Sequence, residues 1–121
     1  MFIEGIKGDD VLNALNQQLK KGILEIIVLK LIEEEDVYGY DLIKKMESQS
    51  DGYYSIKEGS LYPILYRLED KKYIESYSKS FEGERRIPRK YYKITPMGSG
   101  ALVNMLEEWR NYTLKTNLIL K

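Results

Sequence analysis

One stretch of the sequence, residues 59–92, constrains the fold more than any other part. It opens with apolar residues at the three- and four-residue spacing of a helix that buries one side, namely Leu61, Ile64, Leu65 and Leu68. This spacing predicts a helix over residues 60–72. Two aromatic-rich segments with strand-like alternation follow, at 73–78 and 89–94, and they flank a loop at 81–88. An amphipathic helix is therefore expected directly before a β-hairpin.

Positive charge is concentrated in this hairpin. The whole chain carries 19 Lys and Arg against 19 Asp and Glu, a formal net charge of zero. Residues 71–93, however, hold eight Lys and Arg against three Glu, a local net charge of +5. Such a patch can steer one face of a neutral protein onto phosphates. Taken alone, the same run could equally be a solvated surface.

The composition argues against an enzyme or a metal site. The chain has no Cys and no His, so disulfides, thiolate zinc sites and the commonest general base are all excluded. Adjacent carboxylates such as Glu107 and Glu108 do not face one reacting atom on a helix. No glycine-rich phosphate loop is present. We expect no catalytic residue, no metal and no cofactor.

The sequence also lacks the features of a membrane protein. No basic and then apolar leader with a small-residue cleavage site is found, and the apolar run at residues 26–29 is far too short to cross a bilayer. We therefore expect a cytoplasmic protein that does not contact membranes.

The remaining segments add helices on both sides of this stretch. Apolar residues at threes and fours predict a first helix over residues 11–35, which Gly22 interrupts. A second helix is predicted over 38–49 and a short strand over 53–56. Thr95 and Pro96 are typical of a helix start, and the last helix is expected to run to Leu120.

This order of elements predicts an α+β, mainly helical fold. It is a winged helix-turn-helix with an N-terminal helix and a long C-terminal dimerisation helix. Residues 1–94 would form the DNA-binding domain, with the N-terminal helix shared in a dimer interface, and residues 95–121 the dimerisation helix. In such a module one helix enters a major groove while the basic loop, or wing, lies along neighbouring phosphates.

At this point the sequence resembles a known family, the PadR-like winged-helix transcriptional regulators, and most closely its small multidrug-sensing branch. The similarity is strong over about residues 20–100. The matching pieces, in order, are YGYDL at 38–42, GSLYP at 59–63 with RLE at 67–69, and RKYY at 89–92 with Ile94, Thr95 and Gly98.

The resemblance implies that the helix at residues 60–72 is the recognition helix. It places DNA contacts on three elements: Tyr38, Tyr40 and Lys44 on the preceding helix; Ser60, Tyr62, Pro63, Tyr66 and Arg67 on the recognition helix; Arg85, Arg86 and Lys90 on the wing. Tyr62 and Tyr66 could bind phosphates or pack under the wing. Arg67 could contact the backbone or pair with Glu69 or Asp70.

Two positions depart from the family pattern. The family usually has a left-handed Gly after the recognition helix, where this chain has Tyr73. The family wing is often a short Gly-Gly-Arg turn, whereas residues 82–88 here are longer and partly acidic.

Family members pair through their first and last helices and bind pseudo-palindromic double-stranded operators. The resemblance gives the long helix the same role here, through Leu102, Met105, Leu106, Trp109 and Tyr112. Trp109 matches an aromatic residue that stacks on small planar apolar ligands, although it could instead fill a packed dimer seam.

The sequence thus predicts a homodimeric DNA-binding transcriptional regulator, a repressor that a small hydrophobic or aromatic effector releases. The competing interpretation is a winged helix used for protein contact without specific DNA binding. An apolar recognition face and a neutral wing would indicate that alternative.

Overall fold

The computed structural model describes residues 15, 18–20, 22–80 and 88–121. Leu15 and residues 18–20 are helical. From residue 22 onward the described elements are, in chain order, α1 (Ile23–Glu34), β1 (Val37–Tyr38), α2 (Gly39–Gln49), α3 (Glu58–Asp70), β2 (Ile74–Lys79), β3 (Arg89–Ile94) and α4 (Pro96–Leu120).

The strands form an antiparallel sheet in the order β1-β3-β2. Its register pairs Tyr92 with Val37 on one side and with Ser76 on the other, and it pairs the next residue, Tyr91, with Tyr38 and Tyr77. Because neighbouring residues of a strand point to opposite faces, Tyr92 and Tyr91 lie on different sides of the sheet. Tyr92 is buried and Tyr91 is half-buried on the outer face, so only one of the two joins the core.

The core lies between the inner face of the sheet and the helices. The predicted amphipathic stripe of α3 is confirmed, since all four of its apolar residues are buried. The fully buried side chains come from α1, α2, α3, both long strands and the start of α4: Val28, Leu29, Ile32, Leu42, Met46, Leu61, Leu65, Leu68, Ile74, Tyr92 and Leu102. The order of elements is that of the predicted winged helix-turn-helix.

The first predicted helix is broken at Gly22. This residue has a φ of +91°, outside the right-handed helical region, and α1 begins only at Ile23. Gly adopts positive φ without a steric penalty, so the chain can turn here. The predicted interruption at Gly22 is therefore confirmed, and it divides the predicted helix in two; residues 11–14, 16, 17 and 21 lie outside the described part.

Residues 53–56 do not form the predicted strand, so this prediction is wrong. This segment is a turn held to the end of α2: the Tyr53 N–H donates to the Ser50 carbonyl at 3.0 Å, and the Tyr54 N–H donates to the Ser50 hydroxyl at 2.9 Å. These backbone groups are satisfied locally and do not form a ladder. The third strand of the sheet is β1, which comes before α2.

Helix α3 starts at Glu58, two residues earlier than predicted, so Pro63 lies inside the helix and not in its first turn. Its end is well defined. The Tyr73 N–H donates to the Leu68 carbonyl and the Lys72 N–H to the Glu69 carbonyl, which is the Schellman pattern. The left-handed residue is Lys72, with a φ of +64°, one position before the Tyr73 that replaces the family glycine.

Helix α4 begins as predicted, with Thr95 as N-cap and Pro96 as its first residue. The Thr95 hydroxyl accepts a hydrogen bond from the Gly98 N–H at 3.0 Å and donates to the Lys72 carbonyl at 2.6 Å. The Thr95 N–H donates to the Tyr73 carbonyl. The start of α4 is thus fastened directly to the end of α3.

Candidate nucleic-acid interface and apolar groove

The outward face of α3 carries the residues predicted to meet DNA. Ser60, Pro63, Tyr66 and Arg67 are all exposed, and the ring of Tyr66 is 60% exposed. Since the opposite face is buried, these side chains are the ones that α3 can present to a groove. This face is not apolar overall, whereas an apolar face would indicate a surface for protein contact.

Tyr62 occupies a different environment from its neighbours. It is half-buried between α3 and the start of α2, and a Cβ atom on Gly39 would lie 2.9 Å from its hydroxyl oxygen. Its ring centroid is 6.4 Å from that of Tyr66. Gly39 therefore has a steric role, because any larger residue would displace Tyr62. Tyr62 thus packs against the start of α2 and not under the wing, and its contact with DNA stays a prediction.

The start of α2 forms the second part of this surface. Tyr38 is the N-cap of the helix, and among the described residues no side chain caps the N–H groups of its first turn. Tyr40 is 50% exposed, with the Lys44 ammonium 4.5 Å from its ring centroid. Uncapped N–H groups, a cation and an exposed hydroxyl together suit an anionic oxygen.

The outer face of the sheet continues the surface with a row of tyrosines. Tyr38, Tyr91 and Tyr77 lie side by side across the three strands, with ring centroids 5.7 and 5.8 Å apart. Arg89 lies 4.9 Å from the Tyr38 ring and Lys79 lies 5.4 Å from the Tyr91 ring. Sequence alternation alone does not reveal this row or the positions of Lys79 and Arg89 beside it, because the row exists only once the strand register is known.

Tyr77 of this row and Tyr92 of the core have raised pKa values for different reasons. The Tyr77 hydroxyl donates to the Asp36 carboxylate at 2.7 Å, and this bond raises the pKa of Tyr77. Burial raises the pKa of Tyr92 to about 12. Neither Tyr77 nor Tyr92 changes charge near neutral pH.

Arg67 is held by an acid that the sequence did not suggest. Its Nε donates to Glu25 Oε1 at 2.8 Å, and the Lys71 ammonium lies 3.6 Å from Glu25 Oε2. Glu25 is on α1, 42 residues away. The sequence suggests Glu69 or Asp70 as the partner, but Glu69 instead accepts a hydrogen bond from Ser76 at 2.6 Å.

The predicted wing is described only at its base. Lys90 is exposed on β3, while Arg85 and Arg86 lie outside the described residues.

A groove lies between α1 and α4, near the predicted effector residues. It has a volume of about 590 Å³ and is bordered mainly by apolar side chains, with Glu108 as its acidic member. Its walls are Gln18, Leu19, Gly22, Ile23, Ile26, Asn104, Met105, Glu108, Trp109 and Tyr112. The Trp109 and Tyr112 rings are stacked, 5.9 Å apart and inclined by 17°.

The predicted interface residues of α4 are not equivalent. Met105, Trp109 and Tyr112 line the groove, whereas Leu102 is fully buried in the core of the chain and Leu106 packs against that core. Beyond Tyr112 the helix exposes further apolar side chains: Leu114, Leu118, Ile119 and Leu120. A helix end with this much exposed apolar surface is typical of an interface.

Other kinds of site are not found where the structure is described. No group of His, Cys, Asp or Glu there could hold a metal ion. None of the described helices is long and apolar enough to cross a membrane.

Comparison with known proteins agrees with this geometry. Residues 28–104 match the model of the transcriptional regulator PadR-like family. An uncharacterised protein of Lysinibacillus sphaericus is 37% identical over 89 residues, which are 74% of this chain and 80% of the relative.

Solved structures show the same fold. A transcriptional regulator from Clostridium thermocellum is similar with a TM-score of 0.78 and 36% identity, over 86% of this chain and 99% of that one. A PadR-like transcriptional regulator from Bacillus cereus has a TM-score of 0.73 and 35% identity, over 86% of this chain and 97% of the other.

Proposed function

This chain belongs to the PadR-like family of transcriptional regulators, and we propose that it is a homodimeric, sequence-specific DNA-binding repressor. As a member of this family it is a regulator and not an enzyme. The observation that carries the proposal is the continuous polar and aromatic surface that joins the exposed face of α3 to the start of α2. Residues 1–94 would supply the DNA-binding domain and 95–121 the dimerisation helix, in a cytoplasmic protein that does not contact membranes.

Each part of the surface has a distinct role in this proposal. Ser60, Pro63 and Tyr66 meet base edges in the major groove, because they lie on the exposed face of α3. Tyr38, Tyr40 and Lys44 bind the backbone beside the uncapped start of α2. Tyr62 supports them by packing against Gly39, and Arg67 and Lys90 bind phosphates at the edges.

The test is binding to the DNA just upstream of the protein's own coding region, titrated across salt and compared with random DNA. We expect selective binding with a steep negative salt slope. Equal, weak binding to both duplexes would instead favour the alternative, a winged helix for protein contact without specific DNA binding.

The wing contributes to this binding through Arg85 and Arg86. Changing both to Ala should weaken binding to every sequence and flatten the salt slope by about two contacts. A matched control is the double change of Lys115 and Lys121 to Ala, which removes the same charge from the far part of α4. An unchanged slope in the Arg85/Arg86 variant would remove the wing from the interface.

The exposed apolar side chains at the end of α4 support pairing with a second copy of the chain. In a dimer, two α3 helices enter successive major grooves of a pseudo-palindromic operator, about one helical turn apart. Truncation before Ala101 should leave a monomer or an unfolded chain, measured by light scattering. A well-folded truncated dimer would defeat this assignment.

The groove supports release by a small planar apolar ligand. Trp109 is the single Trp of the sequence, so its fluorescence reports directly on the groove. We expect planar aromatic compounds to quench it and to weaken DNA binding. Tyr112→Leu removes the stacked neighbour but keeps the reporter, and it should weaken quenching. Equal quenching in both proteins would remove Tyr112 from the ligand site, and no quenching of the unchanged protein would indicate that Trp109 only fills a packed seam.

A further inference from the structure

Glu25 is placed between the recognition helix and the groove. It lies in the first turn of α1, where a carboxylate is favoured by the helix dipole, and its side chain is only 21% exposed. Its partners Arg67 and Lys71 are 54% and 47% exposed. The acid is thus the anchored member of the cluster, and the two cations extend from it toward solvent.

The contact uses only one edge of the Arg67 guanidinium. The Nε atom donates to Glu25, and no hydrogen bond from either Nη group is found within the described part of the chain. A guanidinium is planar and rigid, so fixing Nε also fixes the direction of the Nη pair. Two parallel Nη–H donors match two oxygens of one phosphate.

We propose that Glu25 is a positioning residue for DNA binding, because it holds Arg67 so that its two Nη groups meet one phosphate at the wall of the major groove. Arg67 lies near the end of α3, on the edge of its exposed face that meets α1 through Glu25. Side chains on the flank of a helix in a groove meet the sugar–phosphate wall. This inference rests on the proposed DNA-binding function.

A purely electrostatic role for Glu25 would have the opposite sign. A carboxylate near DNA repels phosphates, so removing it should tighten binding to every duplex. If Glu25 positions Arg67, its removal leaves a long side chain to be ordered during binding, which should weaken binding about fivefold. The direction of the change therefore separates the two roles.

The position of Glu25 also links the two proposed sites. Ile23 and Ile26, on either side of Glu25 in the same helical turn, line the groove against α4. A ligand that displaces this turn of α1 would also displace the carboxylate that holds Arg67. The loss of one phosphate contact is then a route by which the ligand weakens DNA binding.

The test compares Glu25→Ala, Glu25→Gln, Arg67→Ala and the double Ala variant as full-length proteins, on operator and random duplexes across salt. Glu25→Ala should bind both duplexes about fivefold more weakly, as should Arg67→Ala, and the double variant should be no weaker than Arg67→Ala. All three Ala variants should lower the salt dependence of binding by the equivalent of about one phosphate contact. Glu25→Gln keeps an oxygen acceptor for Nε and should retain most of the affinity.

The matched control is Glu33→Ala. Glu33 lies on the same helix and pairs with Lys30 at 2.8 Å, so the variant changes the same charge in a comparable ion pair near the other end of α1. It should bind like the unchanged protein.

Four results would overturn the proposal. Glu25→Ala that binds as tightly as the unchanged protein, or more tightly, would show that the carboxylate only repels DNA. A further loss in the double variant would mean that Glu25 acts without Arg67. A loss on the operator but not on random DNA would assign the Nη pair to a guanine. An unchanged protein that selects no operator would overturn the proposed function together with this inference, whereas the first three results leave that function intact.

Discussion

Two glycines of α4, Gly98 and Gly100, offer a matched pair for testing how the long helix is attached. A Cβ atom on Gly98 would lie 2.0 Å from the Tyr73 carbonyl oxygen and 2.9 Å from Cγ1 of Ile94. At Gly100, two residues along the same helix, nothing lies within 4 Å of the corresponding position. An Ala substitution should therefore destabilise the protein at Gly98 but not at Gly100.

The expected cost at Gly98 follows from what has to move. An ordinary carbon–oxygen contact is about 3.3 Å, so α4 and Tyr73 must separate by about 1 Å. The Tyr73 carbonyl is held by the Thr95 N–H at 3.0 Å, and loss of that bond costs about 1 kcal/mol. Strain from overpacking adds about 2 kcal/mol and a weakened Thr95 cap about 1 kcal/mol. The higher helix propensity of Ala offsets about 1 kcal/mol of this, so the free energy of unfolding should fall by about 3 kcal/mol.

At Gly100 only the propensity term applies, and Ala should stabilise the protein by about 1 kcal/mol. The assay is urea unfolding followed by far-UV circular dichroism, at one protein concentration because association adds to apparent stability. The two Ala variants should differ by about 4 kcal/mol in the free energy of unfolding. A difference below about 1 kcal/mol would refute the close contact between Gly98 and Tyr73.

Three further predictions concern other close contacts and the buried tyrosine. Lys72→Gly should raise the free energy of unfolding by about 1 kcal/mol, because Lys72 has positive φ, whereas Lys71→Gly, in the right-handed region, should lower it in the same urea assay. Gly39→Ala should destabilise the protein less in a Tyr62→Phe background, where the nearest atom is gone; equal costs in both backgrounds would contradict this. The pKa of Tyr92 is raised from 10.0 to about 12, so the unfolded chain releases this proton first. Stability should therefore fall by about 2 kcal/mol as the pH rises through that window, and Tyr92→Phe should show a shallower fall in pH-dependent melts.

The sequence was sufficient for the elements that bury a regular apolar stripe. The four buried residues of α3 repeat at helical spacing, and β3 was predicted at residues 89–94 because its alternation is clear. The start of α4 was predicted from Thr95 and Pro96, whose capping chemistry is local. In each case the signal lies within a few neighbouring residues.

Features that depend on distant partners were missed. Strand β1 has only two residues, Val37 and Tyr38, too few for any periodic signal, and it exists because β3 offers it a partner. The partner of Arg67 is 42 residues away, so local charge pairing suggested the wrong acids. The row of Tyr38, Tyr91 and Tyr77 likewise requires the strand register. Lys72 has a positive φ, which residues with a Cβ atom disfavour, and the geometry of the end of α3 imposes this conformation.

The joint between α3 and α4 limits how the proposed regulator can change shape. The Thr95 hydroxyl and N–H donate to the Lys72 and Tyr73 carbonyls, and Gly98 packs on the second of them, so the end of α3 and the start of α4 are in direct contact. If two chains pair through α4, the distance between their recognition helices is set at this joint and at the dimer contact. Bending at the joint would break several bonds at once. A ligand between α1 and α4 would therefore act by shifting α1 or by shifting one α4 helix against the other, and only the second movement carries α3 with it.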